Sequence, residues 1–149
     1  MAMVAEGADR PSHTELAPKI LIPLRKMRAV SPPDMAKRMG LSLRAYNDFE
    51  NGRTKLLFER VLRFAAILRL DHHAILTAFE YARPRIAHVF AQNKFMLIQA
   101  SAIDEFSDEM LEAIGAVDPL TTLDGNLKFY AQLAEHGRAQ LRAASPRGL

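Results

Sequence analysis

Ser31–Arg53, SPPDMAKRMGLSLRAYNDFENGR, is the stretch whose reading decides the fold. Ser31 followed by Pro32 reads as a helix start: a hydroxyl cap, then a proline at a position where no N–H is needed. Asp34, three residues on, sits roughly where a capping box places its acid and suits the positive helix end. Met35, Ala36 and Met39 form a short apolar face, and Gly40 supplies the left-handed residue that ends the helix. Ser42 caps a second helix at once, so Gly40-Leu41-Ser42 is a tight turn with Leu41 plugging the angle between the two helices. In the second helix Tyr46 and Phe49 are spaced to face inward, while Leu43, Arg44, Asn47 and Asp48 are left outside. Asn51-Gly52 stops it.

A short capped helix that carries Arg and Asn outward and is locked from behind can lie in the DNA major groove. These residues resemble the helix-turn-helix family of phage repressors of the Cro and cI type and the related xenobiotic-response-element regulators. In that resemblance Ala36 is the small residue of the first helix, Gly40 the turn glycine and Tyr46 the buried position of the reading helix. Glu50-Asn51-Gly52-Arg53-Thr54-Lys55 matches the family's glutamate-asparagine-glycine-basic exit loop. The family also has an arginine before the motif that pairs with the glutamate, and Arg25 stands at the right distance. The resemblance spans about residues 19–79 and implies a five-helix, lambda-repressor-like DNA-binding domain. Two departures are present. Pro32 replaces a polar, phosphate-gripping helix start, and Leu56-Leu57-Phe58 replaces a polar loop.

The whole chain is consistent with such a domain plus an extension. It has 149 residues, 49% hydrophobic and 25% charged, and no cysteine. It has the composition of a globular protein and offers no disulfide, thiolate metal site or thiol nucleophile. The first residues lack the apolar core of a signal peptide, and no run is apolar enough to span a bilayer, so a cytoplasmic protein without membrane contact is expected. Residues 19–69 hold twelve bases against four acids, and residues 1–18, 19–69 and 70–149 carry net charges of −2, +8 and −3. The positive charge is concentrated on the segment proposed to meet a polyanion.

Along the chain, 1–16 reads as a flexible tail, 17–82 as the DNA-binding domain and 83–149 as a helical dimerisation or partner-binding region. A first helix is expected from about Ala17 to Ala29, kinked or delayed by Pro23. Helices at about Phe58–Leu68 and His72–Tyr81 complete the domain, the latter capped by Asp71. Val61, Leu62, Ala65, Ala66 and Leu68 form the expected core face of the former, with Arg60 and Arg63 outward. Arg83-Pro84 marks the expected boundary. Beyond it come a helix from about Pro84 to Ala102, an acidic stretch Asp104–Glu112 holding a short helix capped by Ser107 and closed by Gly115, and a last helical region opened by Asp118-Pro119. Gly125 places the firm start of that last helix near Asn126. Leu120, Leu123, Leu127, Tyr130, Ala134, Gly137 and Leu141 alternate three and four apart as a heptad seam, either a dimer contact or a packing face for the preceding helix.

The candidate chemistry is binding. Arg44 can bridge guanine O6 and N7, Asn47 can pair with adenine, Leu43 can touch a thymine methyl, and Asp48 can accept from cytosine or simply exclude phosphates. Lys37, Arg38, Ser42, Arg53 and Lys55 are candidates for phosphate contact. Arg25 and Glu50 are read as a structural ion pair. His72-His73 lacks the acidic or cysteine companions of a metal site, and adjacent helical side chains should point apart. No phosphate loop, nucleophile elbow or zinc-protease motif is present, so neither an enzyme nor a cofactor is expected. The all-α chain is therefore expected to be a sequence-specific transcriptional regulator, a repressor on an inverted-repeat operator, with double-stranded DNA and a second copy as partners. The alternative is an antitoxin or adaptor whose acidic C-terminal half binds another protein, with DNA binding for autoregulation. A third reading is a module that binds protein only.

Overall fold

Ser12 opens the first helix with a full capping box: its side chain accepts from the Glu15 N–H, and Glu15 Oε2 accepts from the Ser12 N–H at 2.7 Å. The computed structural model describes residues 10–145, without the side chains of Asp108 and Glu109. Eight helices follow in order: α1 His13–Met27, α2 Pro32–Met39, α3 Leu43–Glu50, α4 Phe58–Leu68, α5 His72–Glu80, α6 Pro84–Phe90, α7 Phe95–Gly115 and α8 Pro119–Ala144. Every regular element among the described residues is a helix, so the chain is all-α. Residues 1–9 of the expected tail lie outside the described residues, but 13–16 are helical.

α1 runs through both Pro18 and Pro23 rather than starting after them. A proline removes the N–H that the carbonyl four residues back would accept. For Pro23 that carbonyl belongs to Lys19, and His88 Nε2 of α6 donates to it at 3.0 Å. The inner face of α1, with Leu16, Ile20, Leu21 and Leu24, meets Met35, Met39, Tyr46, Phe49, Phe64 and Ile75 in one core. Phe64, not anticipated on the inner face of α4, is fully buried, whereas Ala66, which was, is exposed.

Three helix ends are closed by distant arginines. Arg63 Nη1 donates to the Met39 carbonyl at the end of α2 (2.8 Å), Arg28 Nε to Leu68 at the end of α4 (3.0 Å), and Arg10 Nη2 to Phe79 and Glu80 at the end of α5 (3.1 and 2.7 Å). Arg63 therefore does not simply point outward. A guanidinium suits a helix C-terminus, where carbonyls lack partners and the dipole is negative.

The first compact unit continues to Ile103, past the boundary expected at Arg83-Pro84. Asp71 explains this. It is buried, with 1% exposure; Oδ1 caps α5 by accepting from His73 N–H, and Oδ2 accepts from Leu97 N–H in the first turn of α7 at 2.7 Å. Its own N–H donates to the Ala91 carbonyl at 2.8 Å. One carboxylate thus ties the residues after 83 to the domain. The expected helix from Pro84 to Ala102 is two helices, separated where Lys94 takes a φ of 56°.

The second unit begins at Asp104. The short helix expected around Ser107 is part of the continuous α7: the Ser107 hydroxyl donates back to the Asp104 carbonyl instead of capping. α8 starts at Pro119, with Asp118 Oδ1 accepting from Leu120 and Thr121 N–H, so Gly125 does not delay it. No residue of α8 is buried.

Candidate nucleic-acid interface

α2 begins on Ser31, whose side chain accepts from Asp34 N–H at 3.3 Å while its hydroxyl donates to Asp34 Oδ2 at 2.9 Å. It ends on Gly40 at φ 67°, with the Leu41 N–H returning to the Ala36 carbonyl. That left-handed residue reverses the chain within a single turn. Leu41 packs half-buried against the core, and Ser42 Oγ accepts from Ala45 N–H at 3.1 Å to start α3. Tyr46 and Phe49 are buried, with the Phe49 ring edge-on to Phe64 at 6.0 Å. Burying two aromatics fixes the roll of α3 and therefore which residues it turns outward.

Leu43 and Arg44 are exposed, and Asn47 and Asp48 half-buried; three- and four-residue spacing puts them on one side of α3. No hydrogen bond or ion pair engages the side chains of Arg44 and Asn47 among the described residues. The five phosphate candidates are all exposed: Lys37 and Arg38 in the last turn of α2, Ser42 at the cap of α3, Arg53 and Lys55 on the loop leaving it. Asp48 and Arg53 face each other at 3.6 Å, so a predicted base reader and a predicted phosphate contact are ion-pair partners.

Behind this face the Arg25–Glu50 ion pair is present and buried. Arg25 Nε donates to Glu50 Oε1 at 2.6 Å, Nη2 to Oε2 at 3.2 Å and Nη1 to the Val30 carbonyl at 2.9 Å. The Tyr46 hydroxyl adds a fourth bond, donating to Glu50 Oε1 at 2.9 Å. Burial, and then the adjacent Glu50 charge, push the Tyr46 phenol well above its ordinary range; the Glu50 hydrogen bond holds the Arg25 guanidinium more firmly protonated. Sequence reading placed Tyr46 inward as an apolar residue and missed the hydroxyl's role. A phenol four residues before a buried glutamate is the signal that could have found it.

The exit of α3 is pinned as well. Gly52 is buried at φ 67°, and a Cβ there would lie 2.6 Å from the His13 carbonyl oxygen and 2.8 Å from Thr14 Cα. Thr14 Oγ1 donates to the Gly52 carbonyl at 3.1 Å, and Asn51 Nδ2 closes α3 on the Asn47 carbonyl at 2.9 Å. α3 is therefore held at its start by Ser42, along its inner side by the Arg25 network and at its end by α1.

The remaining expectations fall elsewhere. The His72 and His73 rings do not point apart but lie 4.1 Å centroid to centroid; burial foremost, then the neighbouring imidazole, lowers the His72 pKa. Among the described residues no group of three or more His, Asp or Glu could hold a metal, and no helix is long and apolar enough to cross a membrane. The seam residues of α8 are exposed apart from half-buried Leu123, with Leu120 and Leu141 at 74% and 71%.

No protein-family model matches the chain, and no solved structure matches it. Among curated proteins, arginine decarboxylase 2 of Arabidopsis thaliana is similar, 28% identical over 72 residues that cover 48% of this chain and 10% of that protein. The chain thus spans about a tenth of the length of the curated relative it matches.

Proposed function

We propose that this protein is a sequence-specific DNA-binding regulator, a repressor that occupies an inverted-repeat operator as a homodimer in the cytoplasm, and that it acts by binding rather than catalysis. The observation that carries the reading is the outward side of α3, where the side chains of Arg44 and Asn47 have no hydrogen-bond or ion-pair partner among the described residues, on a helix restrained at both ends. A side chain that reads a base edge must be free to reach it and mounted on a backbone that does not move. Lys37 and Arg38 before α3, and Arg53 and Lys55 after it, flank that side as phosphate contacts would. Breaking the Asp48–Arg53 pair would release one of them.

The test is to select bound sequences from random duplex DNA by sequencing, then measure affinity across single-base variants. Arg44→Ala lowers discrimination at one base pair by about 1–3 kcal/mol, whereas Lys55→Ala weakens all sequences alike and reduces the salt slope by about 0.9. Equal loss on every sequence for Arg44→Ala overturns base reading. The bare apolar side of α8 favours a second reading, an adaptor or antitoxin whose C-terminal half holds another protein. A protein of defined stoichiometry retained on the chain through purification from its own cell supports it.

A further inference from the structure

We infer that α8 pairs with α8 of a second copy in antiparallel orientation, with Tyr130 lying against Ala134 of the partner subunit. The inference deepens the self-association part of the proposed function and rests on it for the identity of the partner; it does not depend on DNA binding.

The first observation is area. α8 has 26 residues and buries none of them, while on or beside the seam Leu120, Leu127, Tyr130, Leu133 and Leu141 are between 39% and 74% exposed. At about half of the 150–250 Å² that an aromatic side chain can bury, and a little less for leucine, these residues offer on the order of 400 Å² of apolar surface. That is about half of the roughly 800 Å² each partner supplies to a standard interface, the apolar centre to which a polar rim is added.

The second is shape. Pairing in parallel and in register stacks each seam residue on itself. Leu127 and Tyr130 would then be crowded, while Ala134 and Gly137 would leave empty layers, each missing methyl costing about 1 kcal/mol. An antiparallel pairing sets Leu123 against Leu141 of the partner subunit, Leu127 against Gly137 of the partner subunit and Tyr130 against Ala134 of the partner subunit. Large then meets small, and leucine meets leucine. A Cβ added at Gly137 would meet no heavy atom within 4 Å in the single chain, so no contact inside one copy requires a residue this small.

The third is charge. Asp124, Ala131 and Arg138 lie seven apart on one flank of the seam. In antiparallel helices that flank faces its own copy, which brings Asp124 beside Arg138 of the partner subunit twice in each dimer. The Asp124–Lys128 ion pair (2.6 Å) then borders the Glu135–Arg138 pair (2.7 Å) of the other chain with opposite signs in apposition.

The absence of cysteine makes the orientation measurable in the full chain. Leu123→Cys and Leu141→Cys are each made alone and also co-expressed with different tags, then oxidised without DNA. The expected result is a cross-link between the two different variants and none for Leu123→Cys alone, since its two copies would sit about 27 Å apart at 1.5 Å per residue, far beyond disulfide reach. Self-cross-linking of Leu123→Cys overturns the orientation, and a dimer without either cross-link overturns the register. A chain that stays monomeric in light scattering at high micromolar concentration overturns self-pairing altogether and assigns the face to another protein. Gly137→Leu provides the second arm. It raises intrinsic helix propensity, so a dissociation constant weakened about tenfold or more reports overpacking against Leu127 of the partner subunit and not unfolding. A tighter dimer for Gly137→Leu overturns the proposal. Equal loss on every sequence in the Arg44→Ala experiment, which overturns base reading, leaves every one of these outcomes unchanged.

Discussion

Replacing Arg25 by methionine should cost more than any single exposed charge on this protein, and a double-mutant cycle with Glu50→Gln measures why. The two side chains are only 9% and 4% exposed and share two hydrogen bonds, with Arg25 also holding the Val30 carbonyl. Arg25→Met leaves Glu50 with the Tyr46 hydroxyl as its remaining side-chain partner, and a buried carboxylate robbed of its cation costs about 3–5 kcal/mol. Glu50→Gln leaves the guanidinium buried without an anion, a penalty of the same order. In the double variant neither charge remains, Tyr46 can still donate to the glutamine carbonyl, and methionine fills the space of the arginine stem. Its cost should therefore fall short of the two singles added together by about 2–3 kcal/mol. A domain of this size is stable by about 5–15 kcal/mol, so each single variant should remain measurable but lie far to the left on a urea titration followed by far-ultraviolet circular dichroism. Singles that cost under about 1 kcal/mol, or that add within about 0.5 kcal/mol, would refute the claim that this pair is a desolvated unit.

Tyr46 gives a pH prediction. Its phenol is held above the ordinary value of 10.0, by burial first and the Glu50 charge second. Above pH 10 the unfolded chain releases this proton while the folded chain keeps it, so stability is intact below that pH and falls as pH rises past it. Tyr46→Phe should flatten the alkaline limb in urea midpoints measured from pH 8 to 11; an unchanged slope counts against the shift. Gly52→Ala combines a left-handed backbone with a 2.6 Å approach to the His13 carbonyl, whereas Gly40→Ala meets nothing nearer than Arg63 Nη1 at 3.8 Å. Thermal melts should show a loss of about 2–5 kcal/mol for the first and about 1–2 kcal/mol for the second, and equal losses would remove the close approach from the account. Asp71→Ala removes caps from both α5 and α7, about 1–4 kcal/mol in all, and should speed exchange of the Leu97 amide; unaltered protection there would detach α7 from Asp71.

What could be read from the sequence follows from where each signal is stored. Ser31-Pro32, Gly40 and Ser42 act through bonds within four residues of themselves, and α2, the turn and the start of α3 lie where those residues place them. α4 likewise has its expected bounds, Phe58 to Leu68, although Phe64 and not Ala66 belongs to its inner face. The start of α1 was hidden because Ser12 and Glu15 form a capping box inside what reads as a polar tail, and because Pro18 and Pro23 argue against a helix that the core nonetheless stabilises. The junction of α6 and α7 carries no glycine; Lys94 takes the left-handed conformation instead. Asp71 was legible as the cap of α5, but its bond to Leu97 spans 26 residues and no local pattern encodes it. On the candidate interface, the exposure of Leu43 and Arg44 followed from helical spacing alone. The Arg25–Glu50 pair came from the family resemblance, and the grip of Thr14 on Gly52 from neither.

Charge divides in the same way between what is local and what is not. A segment with twelve bases and four acids looks built for a polyanion, yet three of those bases have internal tasks. Arg25 is tied to Glu50, Arg28 to the Leu68 carbonyl and Arg63 to the Met39 carbonyl. Their positive charge still adds to the field over the surface, but a guanidinium committed to a helix end cannot also reach a phosphate without leaving a carbonyl unpaired. Lys37, Arg38, Arg44 and Lys55 have no such commitment among the described residues, and all four lie on α2, α3 or the loop that leaves α3. The net charge of the segment would overstate how many phosphates it can neutralise, since Lys19, Lys26, Arg60 and Arg69 stand on α1, on α4 or at its end, whereas the four cations on α2, α3 and the exit loop are a narrower statement. Charge that closes helix ends holds the scaffold rigid, charge left free is positioned by that scaffold, and a reader of base edges needs both.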